Sequence, residues 1–442
     1  MIALPCLLYS MDLTVLNLAL PAISADLKPT SAQLLWIVDI YGFLVAGLLI
    51  TMGALGDRIG RRRLLLIGAA AFGVASVLAA FSTSAEMLIA TRAALGIAGA
   101  TLAPSTLSLI RNMFRDSGER RFAIGVWITS YSAGGAIGPL VGGILLEHFW
   151  WGSVFLAGVP VMALLLAVGP ALLPEFRDPE AGRPDLASAA LSLAAVLPVI
   201  YGIKRIAESG AAWLPVLCIL AGLAAGAVFL QRQHRLADPL IDLRLFRAPA
   251  FSVSLATYTL GTFVAFGSFL FIAQYLQRVL GLSPLQAGLW MLPFFVGWIS
   301  GSMLAPLLAR RLRPAFALSA GLVLATGGFG LLTRVDGGSS LAVLVSGSLL
   351  VSLGLAPVFT LATDVIVGAA PPERAGAASA ISETGSELGG ALGIALLGSL
   401  ATAVYGSEAL TQGLQLTAVI SAAVVLATAI VAAVALREVR TA

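Results

Sequence analysis

The chain has 442 residues, 59% hydrophobic and 11% charged, with a mean hydropathy of +0.98. That balance excludes a water-soluble domain and identifies a polytopic membrane protein. The net charge of +4 comes from arginines scattered through short loops between apolar runs, which excludes a nucleic-acid partner.

The opening MIALPCLLYSMDLTVLNLALPAI lacks a basic leader and a clear small-residue cleavage site, so it reads as a first transmembrane helix rather than a signal peptide. Asking about 20 residues of each span, and cutting at polar and Pro/Gly-rich breaks, predicts fourteen helices. They fall near 2–23, 33–54, 64–82, 87–110, 122–146, 152–173, 186–203, 212–231, 251–277, 285–308, 314–333, 340–363, 376–404 and 412–436. Between the second and third lies GALGDRIGRRR, Gly53 to Arg63, a glycine-hinged polar run that must be a tight loop at one membrane face. Twenty of the 26 basic residues fall on that side of the predicted topology and five on the other, with Arg92 inside a span. The bias makes that side, and both termini, cytoplasmic. The pair at 186–231 sits between the linkers PEFRDPEAGRPD and QRQHRLADPLIDLRLFRAPA. The expected layout is therefore 6+2+6: an N-terminal six-helix bundle over 1–173, a linker and inserted hairpin over 174–250, and a C-terminal bundle over 251–442. The hairpin is expected to carry no intramembrane charge.

A charge near the bilayer centre costs about 2.5 to 3.5 kcal/mol on insertion scales, so each ionisable residue within a span is a functional candidate. Asp12 falls mid-span in MDLTVLNLALP, and Asp39 lies in the second helix in LWIVDIY. Each has a structural alternative, a carboxylate satisfied by a neighbouring helix. Arg92 in LIATRAALGIAGA must find a carboxylate or carbonyl, and Asp12 is the nearest candidate. Glu383 and Glu387, four apart in ISETGSELGGALG, share one helix face, an arrangement suited to carrying a proton or holding a cation. Asp364 reads as a loop-facing or helix-end charge. Cys6 and Cys218, far apart in apolar stretches, are expected to be packing residues, and no metal site is expected.

In SAGGAIGPLVGG, Gly134, Gly138 and Gly142 repeat every four residues, with Gly143 beside them, and Pro139 removes a backbone donor. Small residues at this spacing let helices approach closely, and the proline allows a bend. A tight contact without a transport role is the alternative. Gly385, Gly389 and Gly393 form a second such face. Aromatics able to stack on a flat cation include Trp36, Tyr41, Trp127, Tyr131, Phe263, Phe266, Trp290 and Trp298. Trp36 and Trp290 equally suit interface belts.

Taken together, GALGDRIGRRR, LIATRAALGIAGA, AGGAIGPLVGG and MDLTVLNLALP, with DPLIDLRLF and GLSPLQAGLWMLP, give the chain a resemblance to a known family. It resembles the fourteen-helix drug:proton antiporters of the major facilitator superfamily, of the quaternary-ammonium and multidrug efflux type. The resemblance implies an all-α major facilitator fold in the bacterial inner (cytoplasmic) membrane. It also implies proton-driven export of lipophilic, mostly cationic compounds by a monomer without cofactor. By the same likeness, Gly53, Gly56, Asp57, Arg58, Gly60, Arg61, Arg62 and Arg63 would form a cytoplasmic latch. Asp12, Arg92, Asp39, Glu383 and Glu387 would couple protons, Gly134, Gly138, Pro139, Gly142 and Gly143 would shape the exporter helix, and Asp39, Glu383, Glu387, Trp127, Tyr131, Phe263, Phe266 and Trp298 would face substrate. A dedicated exporter of one metabolite or self-made antibiotic is the alternative.

The chain departs from the family in three places. LAPLLARRLRP, the second bundle's counterpart of the loop motif, lacks the aspartate; Trp298 stands where some relatives carry an acid; and YGSEALTQG is shorter than the loop many relatives have there. No HExxH, GxSxG or P-loop pattern appears, which argues against an enzyme or an ATP-driven pump.

Overall fold

The computed structural model describes residues 3–114, 117–177, 185–209, 212–236, 239, 241, 243–336, 340–369, 375–405 and 410–437. They are helical almost throughout. In chain order the helices are α1 (Ala3–Leu27), α2 (Ser31–Ile59), α3 (Arg61–Ala80), α4 (Ala85–Met113), α5 (Ser117–His148), α6 (Ser153–Leu156), α7 (Val159–Leu172), α8 (Leu186–Ser209), α9 (Trp213–Arg235), α10 (Pro249–Gln274), α11 (Pro284–Arg311), α12 (Pro314–Leu332), α13 (Ser340–Gly368), α14 (Ala375–Tyr405) and α15 (Leu410–Ala435). A π-helical turn, Tyr275–Val279, extends α10. Each of the fourteen expected segments is helical, the sixth being split into α6 and α7 ahead of Pro160, which has no N–H to continue the ladder. Among the described residues, twelve spans are long and apolar enough to cross a membrane, counting α6 and α7 together. Helices α5 and α14, of 32 and 31 residues, are not among them.

Local chemistry sets several helix starts. Thr30 and Gln33 form a capping box at α2, the hydroxyl accepting from the Gln33 amide at 3.2 Å and the Gln33 side chain accepting from the Thr30 amide at 2.9 Å. Ser283 and Gln286 repeat the device at α11. Each satisfies amides that a helix start leaves unpaired.

The chain divides into two compact units, Met1–Leu193 with Leu282–Leu289, and Ala194–Gly281 with Trp290–Ala442. In the first, α1 packs on α5, α2 on α4, and α3 on α4 and α7. In the second, α10 packs on α14, α12 on α13 and α15, and Gly297 and Gly301 of α11 abut α13. Numbered by span within each set of six, both units pair first with fifth, second with fourth, third with fourth and third with sixth. Each has the internal packing of a repeated bundle.

The inserted hairpin corrects one expectation. Helix α8 continues to Ser209, past the predicted end at 203, and carries Lys204 and Arg205 inside it. Lys204 is 2% exposed. The hairpin thus holds a buried cation, because IKRIAES has no helix breaker to end the span at Ile203.

Candidate functional site

The first unit buries a charged pair. Arg92 of α4 donates from a terminal guanidinium nitrogen to the Asp12 carboxylate of α1 at 2.5 Å, with the Arg92 side chain 1% and the Asp12 side chain 11% exposed. The Arg92 Nε–H donates to the Ile37 carbonyl of α2 at 3.1 Å, and its guanidinium carbon lies 4.6 Å from the Tyr41 ring centroid. Carboxylate, carbonyl and aromatic face together cover a cation that could not stand alone in a dry interior. Tyr41 fits because α4 is notched. A Cβ on Gly96 would lie 2.7 Å from the Tyr41 carbonyl oxygen, and one on Gly99 would lie 3.0 Å from its hydroxyl. The expected Asp12–Arg92 pairing is present. Asp39 is 1% exposed on α2, which places this acid in packed interior.

Along α5, Gly134, Gly138 and Gly142 form a seam on α1. Added Cβ atoms would lie 2.1 Å from the Leu7 carbonyl oxygen, 2.2 Å from the Thr14 hydroxyl and 2.5 Å from Val15 Cγ2. Gly143 faces elsewhere in the same unit, 2.7 Å by the same measure from Leu285 Cα, and a Cβ on Gly288 would meet the Pro139 carbonyl oxygen at 2.5 Å. The motif therefore has two contact faces. On α14, Gly385, Gly389 and Gly393 repeat the seam against Thr259, Thr262 and Phe263 of α10.

The loop motif is more constrained than its composition suggests. Gly60 sits at φ +113°, a conformation side-chain-bearing residues avoid. Arg58 and Arg63 are exposed and Arg61 is buried. Arg62 donates to the carbonyls of Pro170 and Leu173 at 3.2 and 3.0 Å and approaches Glu175 at 3.7 Å, all within its own unit. Gly53 and Gly56 lie in the last turns of α2, Gly56 against the Arg61 side chain. The side chain of Asp57 lies outside the described residues, as does that of Tyr131.

In the second unit the two glutamates of α14 have different surroundings: Glu383 is exposed and Glu387 buried. Tyr258 of α10 lies within electrostatic reach of both, with Ser386 and Thr363 near its hydroxyl. A run of rings leads away from it. Tyr258 meets Phe359 edge-on at 4.8 Å between centroids, Phe359 meets Trp298 at 5.0 Å, and Trp298 stacks on Phe294 at 5.9 Å. Trp298 thus joins an aromatic row that ends at Tyr258. Phe266 instead covers Gly390, and Phe263 gives its backbone to the Gly393 notch. Trp127 donates its indole N–H to the Thr106 hydroxyl at 3.0 Å, tying α5 to α4. Tyr258, Phe294, Phe359 and Glu175 were not singled out in the sequence. The first three could have been found by marking aromatics on α10, α11 and α13 alongside the acids; nothing local marks Glu175.

Residues 3–394 and 255–442 match the family described as Major Facilitator Superfamily. The multidrug efflux pump LfrA of Mycolicibacterium smegmatis is 45% identical over 407 residues, 92% of this chain and 81% of that protein. The methyl viologen resistance protein SmvA of Salmonella typhimurium is 38% identical over 406 residues, 90% and 81% of the two chains. The tetracenomycin C resistance and export protein of Streptomyces glaucescens is 33% identical over 407 residues, 92% and 76%. A peptide transporter POT mutant in complex with sulfate superposes with a TM-score of 0.74 at 16% identity, covering 99% of this chain and 94% of that one. At that identity the likeness concerns the fold alone.

Proposed function

The chain belongs to the Major Facilitator Superfamily, and from that premise we propose that it is a drug:proton antiporter of the fourteen-span type, arranged 6+2+6, with both termini cytoplasmic. As a multi-pass transport protein of this family it is not an enzyme. One observation carries the finer reading. A chain that tracks a named multidrug efflux pump over 92% of its length buries an acid–arginine pair, Asp12 and Arg92, inside two of its spans.

In this reading lipophilic cations are held near Glu383 and Glu387 and against the aromatic row of Tyr258, Phe359, Trp298 and Phe294. Protons compete for the same negative charge, so proton entry from outside and cation release are coupled as two bundles alternate access. Asp12 with Arg92 links proton occupancy to helix packing. Asp39 serves that network from the interior of α2. Each inward proton supplies about 2.3 kcal/mol per 100 mV, plus about 1.4 kcal/mol per pH unit. No cofactor is required.

A second reading is export of one metabolite or self-made antibiotic, which similarity to a tetracenomycin C resistance and export protein favours. Both are tested by loading everted vesicles with a fluorescent lipophilic cation and a compound panel, with and without a protonophore. Uptake of several unrelated cations that collapses with the protonophore is the expected result. Uptake of one compound alone would favour the dedicated exporter, and uptake indifferent to the protonophore would refute proton coupling.

A further inference from the structure

We propose that Glu175 is a positioning residue of the transport cycle, which together with Arg62 forms a reciprocal helix cap between the start of α3 and the end of α7. Helix α3 begins at Arg61 behind Gly60, whose missing side chain cannot cap it. Its first amides are therefore in need of acceptors. Glu175, just past the end of the neighbouring α7, supplies them: its two carboxylate oxygens accept from the Arg62 amide at 2.9 Å and the Arg63 amide at 3.1 Å. The Phe176 carbonyl accepts from the Arg61 amide at 2.9 Å.

Arg62 returns the service. Its guanidinium donates to the carbonyls of Pro170 and Leu173, which the end of α7 leaves exposed, and lies 3.7 Å from Glu175. An anion thus sits at a helix N-terminus and a cation at a helix C-terminus, each complementing the local dipole. Gly60 makes the seat. A Cβ there would lie 2.6 Å from the Glu175 carboxylate, and φ +113° disfavours any side chain. Two residues of the loop motif, Gly60 and Arg62, thus belong to a clasp within one unit. Exposed Arg58 and Arg63 flank it.

The clasp's role in transport rests on the exporter reading, so its test has two arms. Hydrogen exchange on the full chain in nanodiscs reads the clasp directly. Glu175→Ala should speed exchange of the Arg62 and Arg63 amides about tenfold, the scale of losing a helix cap, with Glu175→Gln between it and the parent. Gly60→Ala, which dislodges the carboxylate from the other side, should do the same. In everted vesicles Glu175→Ala should lower the maximal rate of cation transport several-fold while leaving KM within about twofold, because the clasp residues are not among those assigned to holding the cation. Unchanged exchange in both variants would overturn the clasp. Faster exchange with an unchanged maximal rate would overturn the positioning role and leave the contact as packing. A parent chain that transports nothing in the panel would count against the exporter reading, and the exchange arm would still decide the clasp.

Discussion

Replacing Asp12 by asparagine removes the carboxylate charge that faces Arg92. The guanidinium has five N–H donors, of which Nε is bonded to the Ile37 carbonyl and one terminal nitrogen to Asp12, with the Tyr41 ring against the plane. Breaking a buried ion pair by deleting one partner costs about 3 to 5 kcal/mol. Asparagine keeps an oxygen at the same place, so the loss approaches that of one charged hydrogen bond, about 1.5 to 3 kcal/mol. Asp12→Ala, which keeps no acceptor, should reach the upper range. Reversible unfolding in mixed micelles measures both, and Arg92→Gln in the Asp12→Asn background should cost less than the sum of the single changes, because the two share one interaction. In vesicles Asp12→Asn should abolish uphill transport of a cationic dye in protein that is still inserted. An Asp12→Asn protein as stable as the parent and still driving dye against its gradient would refute both the structural and the coupling role.

Three further outcomes follow from the packing. Gly134→Ala should destabilise the protein by more than Gly142→Ala, because its Cβ would meet a backbone carbonyl oxygen at 2.1 Å rather than a side-chain methyl at 2.5 Å; Gly53→Ala, with its nearest atom at 3.8 Å, should be near neutral in the same unfolding assay. Glu387→Gln should weaken transport of cations more than of neutral compounds, read as the ratio of apparent KM values; equal loss would make the residue structural or purely proton-linked. Phe359→Ala should reduce affinity for planar aromatic cations more than Phe266→Ala does, since Phe359 joins Tyr258 to Trp298.

The helices were legible because most of them announce themselves by length and hydropathy; α5 and α14, rich in glycine and polar residues, are helical without reaching the apolarity of the other twelve. The Asp12–Arg92 pair was legible for an energetic reason: a lone arginine in a span needs an acid, and few were on offer. What escaped were contacts whose partners lie far apart in sequence with no periodic signal. Glu175 sits in a linker that reads as solvated and lies 113 positions from the amide it caps. Lys204 escaped because the hydropathy pattern ends the span before the helix itself ends. Glu383 and Glu387, four apart, share one helix face, but that spacing does not set burial, and Glu383 is exposed where Glu387 is buried.

The two glycine seams constrain how such a chain can move. Where α5 meets α1, and α14 meets α10, missing Cβ atoms let backbone approach backbone, at Gly134 over the Leu7 carbonyl and at Gly393 over the Phe263 carbonyl. Contacts of that kind cannot slide without collision, so each first–fifth helix pair must travel as one piece. Bending is then left to places where the helical ladder is already interrupted. In the first unit those places include Pro104 within α4, Pro139 within α5 and the break between α6 and α7 at Ala157 and Gly158, and in the second Pro357 within α13 and the π-helical turn at Tyr275–Val279. The far end of α7 is held by Arg62 and Glu175. The clasp therefore ties the end of α7 to the start of α3, and through Gly60 and Arg62 it makes the loop motif a part of that joint rather than a bystander to it.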